Sequence, residues 1–258
     1  MFADDVVLCS RTREEAEEKL EDWRRVLEDR GLKVSRKKTE YVCTGGGEKV
    51  PGTIKIQEED VPRSKEFKYL GSTIQDDGGS DKEVERRIQA GWSSWHKVTG
   101  VLCDKRVPEK IKGRMYTTMV RPAMLYGMET VPVTKAQEKK MEVAEMKMLR
   151  FSVGLTRRDE VRNDTVRQRL GVAKFSEKLR EARLRWYGHV CRKDDAYVGK
   201  RVREMIVGRR KRGRPRRRWQ DCIKEDMKMV GVREEDAMDR NKWRSRICTG
   251  DPTPMGAA

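Results

Sequence analysis

Residues 2–10 read Phe2-Ala3-Asp4-Asp5-Val6-Val7-Leu8-Cys9-Ser10, two adjacent acids followed at once by an apolar, β-branched run. The run predicts a short strand, with Asp4 and Asp5 at the tip of a hairpin. Adjacent carboxylates in that position can hold two hard divalent cations and so flank the in-line displacement of a phosphoester. Asp-Asp pairs also occur in turns for their side-chain hydrogen bonds alone, and on these residues by themselves both readings stand.

Outward from the strand, Thr12 and Glu15 form a capping-box pattern, and Ala16, Leu20, Trp23 and Leu27 recur at helical spacing until Gly31 ends the helix. Strand-like pieces follow at 32–34, 41–43, 53–57 and 67–74, punctuated by Gly45-Gly46-Gly47 and Asp77-Gly78-Gly79. From Ser80, paired with Glu83 as a cap, the pattern turns helical. Val84, Ile88 and Trp95 share one face, Pro108 precedes a second helix, and Thr134 with Gln137 opens a third. Residues 80–200 read as helical, and 221–230 and 234–247 as two further short helices before a loose tail. The fold class expected is α+β, mostly α. Met141, Met146 and Met148 are read as core filler.

The chain has 258 residues, 60 Lys or Arg against 43 Asp or Glu, and a formal net charge of +17. Residues 151–258 hold 30 of the basic residues but only 16 of the acidic ones, so the excess sits in the C-terminal part and an anionic polymer is the expected partner. No stretch of 18 apolar residues occurs, which sets aside a transmembrane helix and gives no membrane partner. Six scattered cysteines without a Cys-x-x-Cys pair suit a reducing compartment, and the expected location is intracellular, in nucleus or cytoplasm. His189, Cys191, Cys222 and Cys248 are too widely spaced for a compact zinc module, and no zinc is expected.

Three segments in order, FADDVVLCS at 2–10, GLKVSRKKTEYV at 31–42 and EFKYLGSTI at 66–74, resemble motifs C, D and E of the reverse transcriptase palm in non-LTR, LINE-type retrotransposons. Downstream, DKEVERRIQAGW (81–92), VRPAMLYGMET (120–130), RLRWYGHV (183–190) and GRPRRRWQDCIKEDM (213–227) are similar to the C-terminal part of RTE/Bov-B-type elements. The resemblance implies RNA-directed DNA polymerase ancestry, with Asp4 and Asp5 as ligands of Mg²⁺ or Mn²⁺. It makes Lys38 the lysine near the incoming triphosphate, and Phe67, Lys68, Tyr69, Leu70 and Gly71 the primer grip. Lys38 also reads as an ordinary solvated lysine. Residues 1–78 are then a partial palm, 79–150 a thumb-like helical region and 151–207 a helical C-terminal region, followed by a basic segment at 208–219, short helices at 220–247 and a flexible tail at 248–258. A polymerase of this kind needs a further carboxylate and fingers from upstream. The expectation is therefore a truncated transposable-element enzyme, inactive as an isolated chain and prone to self-association through an incomplete palm.

The segment GRRKRGRPRRRW at 208–219 places eight cations, Arg209, Arg210, Lys211, Arg212, Arg214, Arg216, Arg217 and Arg218, among twelve residues. No packed core accepts that density of unpaired charge, so RNA or DNA phosphates are its expected partners. Arg212-Gly213-Arg214-Pro215 is similar to an AT-hook core, and a chromatin-associated DNA-binding protein is the alternative function. A nuclear localisation signal also fits a run of this kind. Trp219 can stack on an unpaired base or pack inward with Cys222, Ile223 and Met227, and the second reading is preferred. In RLRWYGHV, an aromatic pair among cations is either a nucleic-acid contact or the buried stripe of a basic helix.

Overall fold

The computed structural model describes residues 5–44, 53–57, 59–204 and 217–253, and the chain divides into two compact units, 1–83 and 84–258. In the first unit, helix α1 (Arg13–Glu28) is capped as the sequence predicts. The Thr12 side chain accepts from the Glu15 N–H, and the Glu15 carboxylate accepts from the Arg11 N–H at 3.0 Å. Leu20 rests on Ile54, Ile56 and Val61 of a hairpin formed by β1 (Thr53–Ile56) and β2 (Glu59–Pro62), and Glu17 accepts from the Lys55 N–H at 3.0 Å. A second hairpin pairs β3 (Glu66–Tyr69) with β4 (Ser72–Gln75).

The first apolar run departs from expectation. Val6–Ser10 forms no strand, residues 32–34 form none, and Tyr41 makes a single bridge to Arg63. Asp5 occupies an isolated bridge position and Asp4 lies outside the described residues. A β-branched run becomes a strand only when another edge takes its hydrogen bonds, and among the described residues none is laddered with 6–9. Conversely, Glu59–Pro62 is polar enough to pass for a loop and becomes a strand because β1 needs a partner.

The second unit is helical. Helices α2 (Asp81–Lys97), α3 (Thr99–Leu102), α4 (Glu109–Met115) and α5 (Arg121–Leu125) lead to α6 (Lys135–Ser152), α7 (Asn163–Leu170), α8 (Phe175–Cys191) and α9 (Val198–Glu204). After the basic segment come α10 (Trp219–Val230) and α11 (Arg240–Ile247). Val84 and Trp95 are buried and Ile88 packs beside them, as the periodicity requires. The Thr134–Gln137 box closes in both directions, at 3.3 and 2.8 Å. Met141, Met146 and Met148 are core residues. Between α4 and α5 the backbone widens into one π-helical stretch, Tyr116–Val120, where the Thr117 and Thr118 hydroxyls donate back to the Arg114 carbonyl.

Two apolar clusters share this unit, the larger around α2, α6 and α7 and the smaller where α8 meets α10 and α11. Their polar inclusions are paired. The Glu145 carboxylate, fully buried, accepts from the Tyr116 hydroxyl at 3.0 Å and from Arg167 at 2.8 Å. Burial raises its pKa even against the opposing Arg167 charge. Arg183 forms a two-pronged contact with Asp226 at 2.6 and 3.0 Å, tying α8 to α10. The segment after α11, expected to be loose, carries Asp251, which accepts from both terminal nitrogens of Arg121 at 2.7 Å and from the Ala173 N–H at 3.0 Å.

Candidate nucleic-acid interface

The residues singled out at the N-terminus lie on three different stretches of the first unit. Asp5 is exposed. Lys38 ends a single 3-10 turn, Arg36–Lys38, and is exposed as well. Among the described residues no group of three His, Cys, Asp or Glu side chains converges. Asp5 is the part of the expected pair that the structure describes, and by itself it makes no cage for Mg²⁺ or Mn²⁺; no chemical step is derived through a metal.

The hairpin at Phe67–Gly71 is formed. Phe67 pairs with Ile74 and Tyr69 with Ser72, so the two rings share a face, stacked with centroids 6.3 Å apart, while Lys68 points the other way and is exposed. Leu70 and Gly71, at φ 47° and 82°, make the tight turn between the strands. The Glu83 carboxylate, 2% exposed at the start of α2, accepts from the Thr73 N–H at 2.7 Å, and Lys82 pairs with Glu66 at 2.7 Å. The hairpin is therefore held by Lys82 and Glu83, the last residues of the first unit, rather than standing as a free loop.

Of the eight basic-segment cations, Arg209, Arg210, Lys211, Arg212, Arg214 and Arg216 lie outside the described residues. Arg217 is turned toward α10, donating to the Cys222 sulfur at 3.0 Å and to Glu225 at 2.7 Å. Arg218 donates its backbone N–H to Asp221 at the helix start, at 2.9 Å. Trp219 packs inward against the smaller cluster, its indole N–H on the Glu129 carbonyl at 2.7 Å.

A groove of about 1010 Å³ opens between α5, α8 and α11, and sequence reading missed it. Its walls include Arg185, Trp186, His189 and Lys193 on one side and Arg240 and Arg244 on the other. Trp186 and His189, three residues apart on α8, stack with centroids 5.3 Å apart and planes 23° apart. Trp243 closes the floor. Its indole N–H donates to the Leu184 carbonyl at 2.9 Å, and it lies so near α8 that a Cβ at Gly188 would stand 2.5 Å from the indole nitrogen. In RLRWYGHV the buried-stripe reading accounts for more than half of the residues. Arg183, Leu184, Tyr187 and Gly188 are buried, while Arg185, Trp186 and His189 face the groove. What sequence could not show is that α5 and α11, over fifty residues away on either side, complete it.

Among known proteins, residues 1–74 match the family model for reverse transcriptase (RNA-dependent DNA polymerase). The chain is 25% identical over 267 residues to an uncharacterized transposon-derived protein of Caenorhabditis elegans, covering 95% of this chain and 93% of that one. No solved structure matches. The N-terminal unit is thus similar to reverse transcriptase, and nearly the whole chain to a transposon-derived protein. No helix among the described residues is long and apolar enough to cross a membrane.

Proposed function

We propose that this chain is the C-terminal part of a LINE-type, RTE/Bov-B-like reverse transcriptase that binds RNA or DNA, in nucleus or cytoplasm, without extending a primer by itself. The observation that carries the reading is the match of residues 1–74 to the reverse transcriptase family, in the stretch where motifs C, D and E follow one another. Binding is placed ahead of polymerisation because residues 151–258 hold 30 basic residues against 16 acidic ones, an excess that suits a polyanion. Apolar side chains left exposed on and after α1, Trp23 at 38%, Val26 at 48% and Leu32 at 59%, support self-association through this unit, and a sizing column should show dimers or larger species.

The basic segment is read as a phosphate grip. Two cations removed from a duplex contact make the slope of log K against log salt shallower by about 1.8, since each neutralised phosphate contributes about 0.9. Replacing Arg212 and Arg214 by Ala should therefore weaken duplex binding and flatten the salt dependence by that amount. An unchanged slope removes the segment from the interface. A marked preference for A/T-rich over G/C-rich duplex that disappears in the same variant points instead to groove recognition by Arg212 to Pro215. In primer extension on an RNA template with Mg²⁺, the expected result is no product; product abolished by Asp4→Asn would overturn the non-polymerising half of the proposal.

A further inference from the structure

We infer that the groove between α5, α8 and α11 binds single-stranded nucleic acid, phosphates lying on Arg240, Arg244 and Lys193 and a base extending the Trp186–His189 stack. The inference deepens the nucleic-acid reading above but rests on residues other than 208–219.

The charge argument comes first. Arg240 and Arg244 sit one turn apart on α11, both exposed and, among the described residues, in no ion pair. Lys193 is exposed on the opposite wall, its ammonium 5.7 Å from the Tyr197 ring centroid. The wall also holds Glu181 and Glu129, but Glu181 is already answered by Lys178 at 2.7 Å and by Arg185. The net field in the groove is positive, and a polyanion is the ligand whose charge fits it.

The aromatic pair then selects the kind of polyanion. The bases of a duplex are covered on both faces by their neighbours, so a duplex can offer the groove only phosphates and base edges. An unpaired base has a free face, and stacking on an aromatic ring is worth about 1–3 kcal/mol per base. His189 is exposed, stacked on Trp186 and edge-on to Tyr197 at 6.2 Å, and an unpaired base can join this aromatic group. The volume, about 1010 Å³, stands at the upper end of the roughly 300–1,000 Å³ typical of ligand pockets, which suits a short run of nucleotides better than a lone phosphate. The walls are held at fixed separation by the buried Trp243–Leu184 hydrogen bond and by Arg192, which donates to the Ala237 carbonyl.

The test measures anisotropy of labelled oligo(dT), oligo(U) and a hairpin duplex with the full chain across a salt series. Arg240→Ala/Arg244→Ala should weaken the single strands about tenfold and flatten their salt slope by about 1.4, at about 0.7 per phosphate on a single strand. His189→Ala should weaken the single strands several-fold with the slope unchanged, because stacking releases no counterions, and leave the duplex unaffected. Both variants change exposed side chains, so folding is preserved. Equal loss of single strand and duplex in His189→Ala, or no change in either variant, overturns the groove assignment. Absence of any binding by the unaltered chain overturns the nucleic-acid reading altogether, whereas intact binding with silent groove variants overturns the groove alone.

Discussion

At the scale of the residue, two positions carry predictions because their backbones leave little choice. Leu70 sits at φ 47° in the turn before Gly71, in the left-handed region where a side chain with a Cβ costs about 1–2 kcal/mol. A leucine kept there in an exposed two-residue turn marks strain retained inside the hairpin that resembles a primer grip. Leu70→Gly should therefore raise the stability of the first unit by up to about 1 kcal/mol, read as a higher urea midpoint; a lower midpoint would contradict the strain. Gly113 is constrained from outside. A Cβ there would lie 1.7 Å from the Leu170 carbonyl oxygen, a backbone atom that cannot swing away, so Gly113→Ala should cost about 3 kcal/mol or more by forcing α4 from α7. Gly100 faces open space, and Gly100→Ala should leave the urea midpoint unlowered where Gly113→Ala reduces it. Local rules made the Thr134–Gln137 box legible in sequence. The Arg183–Asp226 pair was not, because two charges 43 residues apart look like two solvated side chains until α8 and α10 meet.

At the scale of the element, helices were legible and strands only in part, 53–57 and 67–74 holding strands while 6–9 and 32–34 hold none, for a physical reason. A helix satisfies its own backbone, so its signals are local: Val84, Ile88 and Trp95 share a face in sequence and in space. A strand's partner lies elsewhere, and Val6–Ser10, with the stronger strand composition, formed none while Glu59–Pro62 did. The segment after α11 was misjudged likewise, since Thr249 to Pro252 has the composition of a loose end and yet Asp251 anchors it. Burial opposes ionisation of Asp251, but the Arg121 guanidinium and the Ala173 N–H outweigh it and hold the pKa below the usual carboxylate value. A carboxylate lowered in the folded state adds stability that is fully present above its unfolded pKa of about 3.9 and is lost as the pH falls through the folded value. Asp251 is half-open to water, so its share is modest. Asp251→Asn should lower the melting temperature near pH 7 by about 2–4 °C and shrink the drop seen on acidification below pH 4. A mutant whose pH profile merely shifts downward in parallel would assign that acid sensitivity to other carboxylates.

At the scale of the whole molecule, the two units differ in how much they bury. Among the described residues, the first unit encloses Ile54, Ile56 and Val61, and α1 buries no residue fully. Three such side chains, at about 1.5–3 kcal/mol each, offset the backbone ordering of only a handful of residues at about 1–2 kcal/mol apiece. The second unit has the long cluster around α2, α6 and α7 and a second one around Trp243, with Glu145 and Arg183 paired inside them. Local opening should follow this division. In hydrogen exchange on the full chain, amides of α6 and α8 should be protected to nearly the global stability, while those of α1 and both hairpins exchange orders of magnitude faster. The same contrast bears on function: binding that resides in the groove should persist under mild denaturant in which the hairpin at Phe67–Gly71 has already opened. Uniform protection across both units would mean that the first is stabilised by more than its own core, and binding lost together with α1 protection would place the nucleic acid on the first unit instead of the groove.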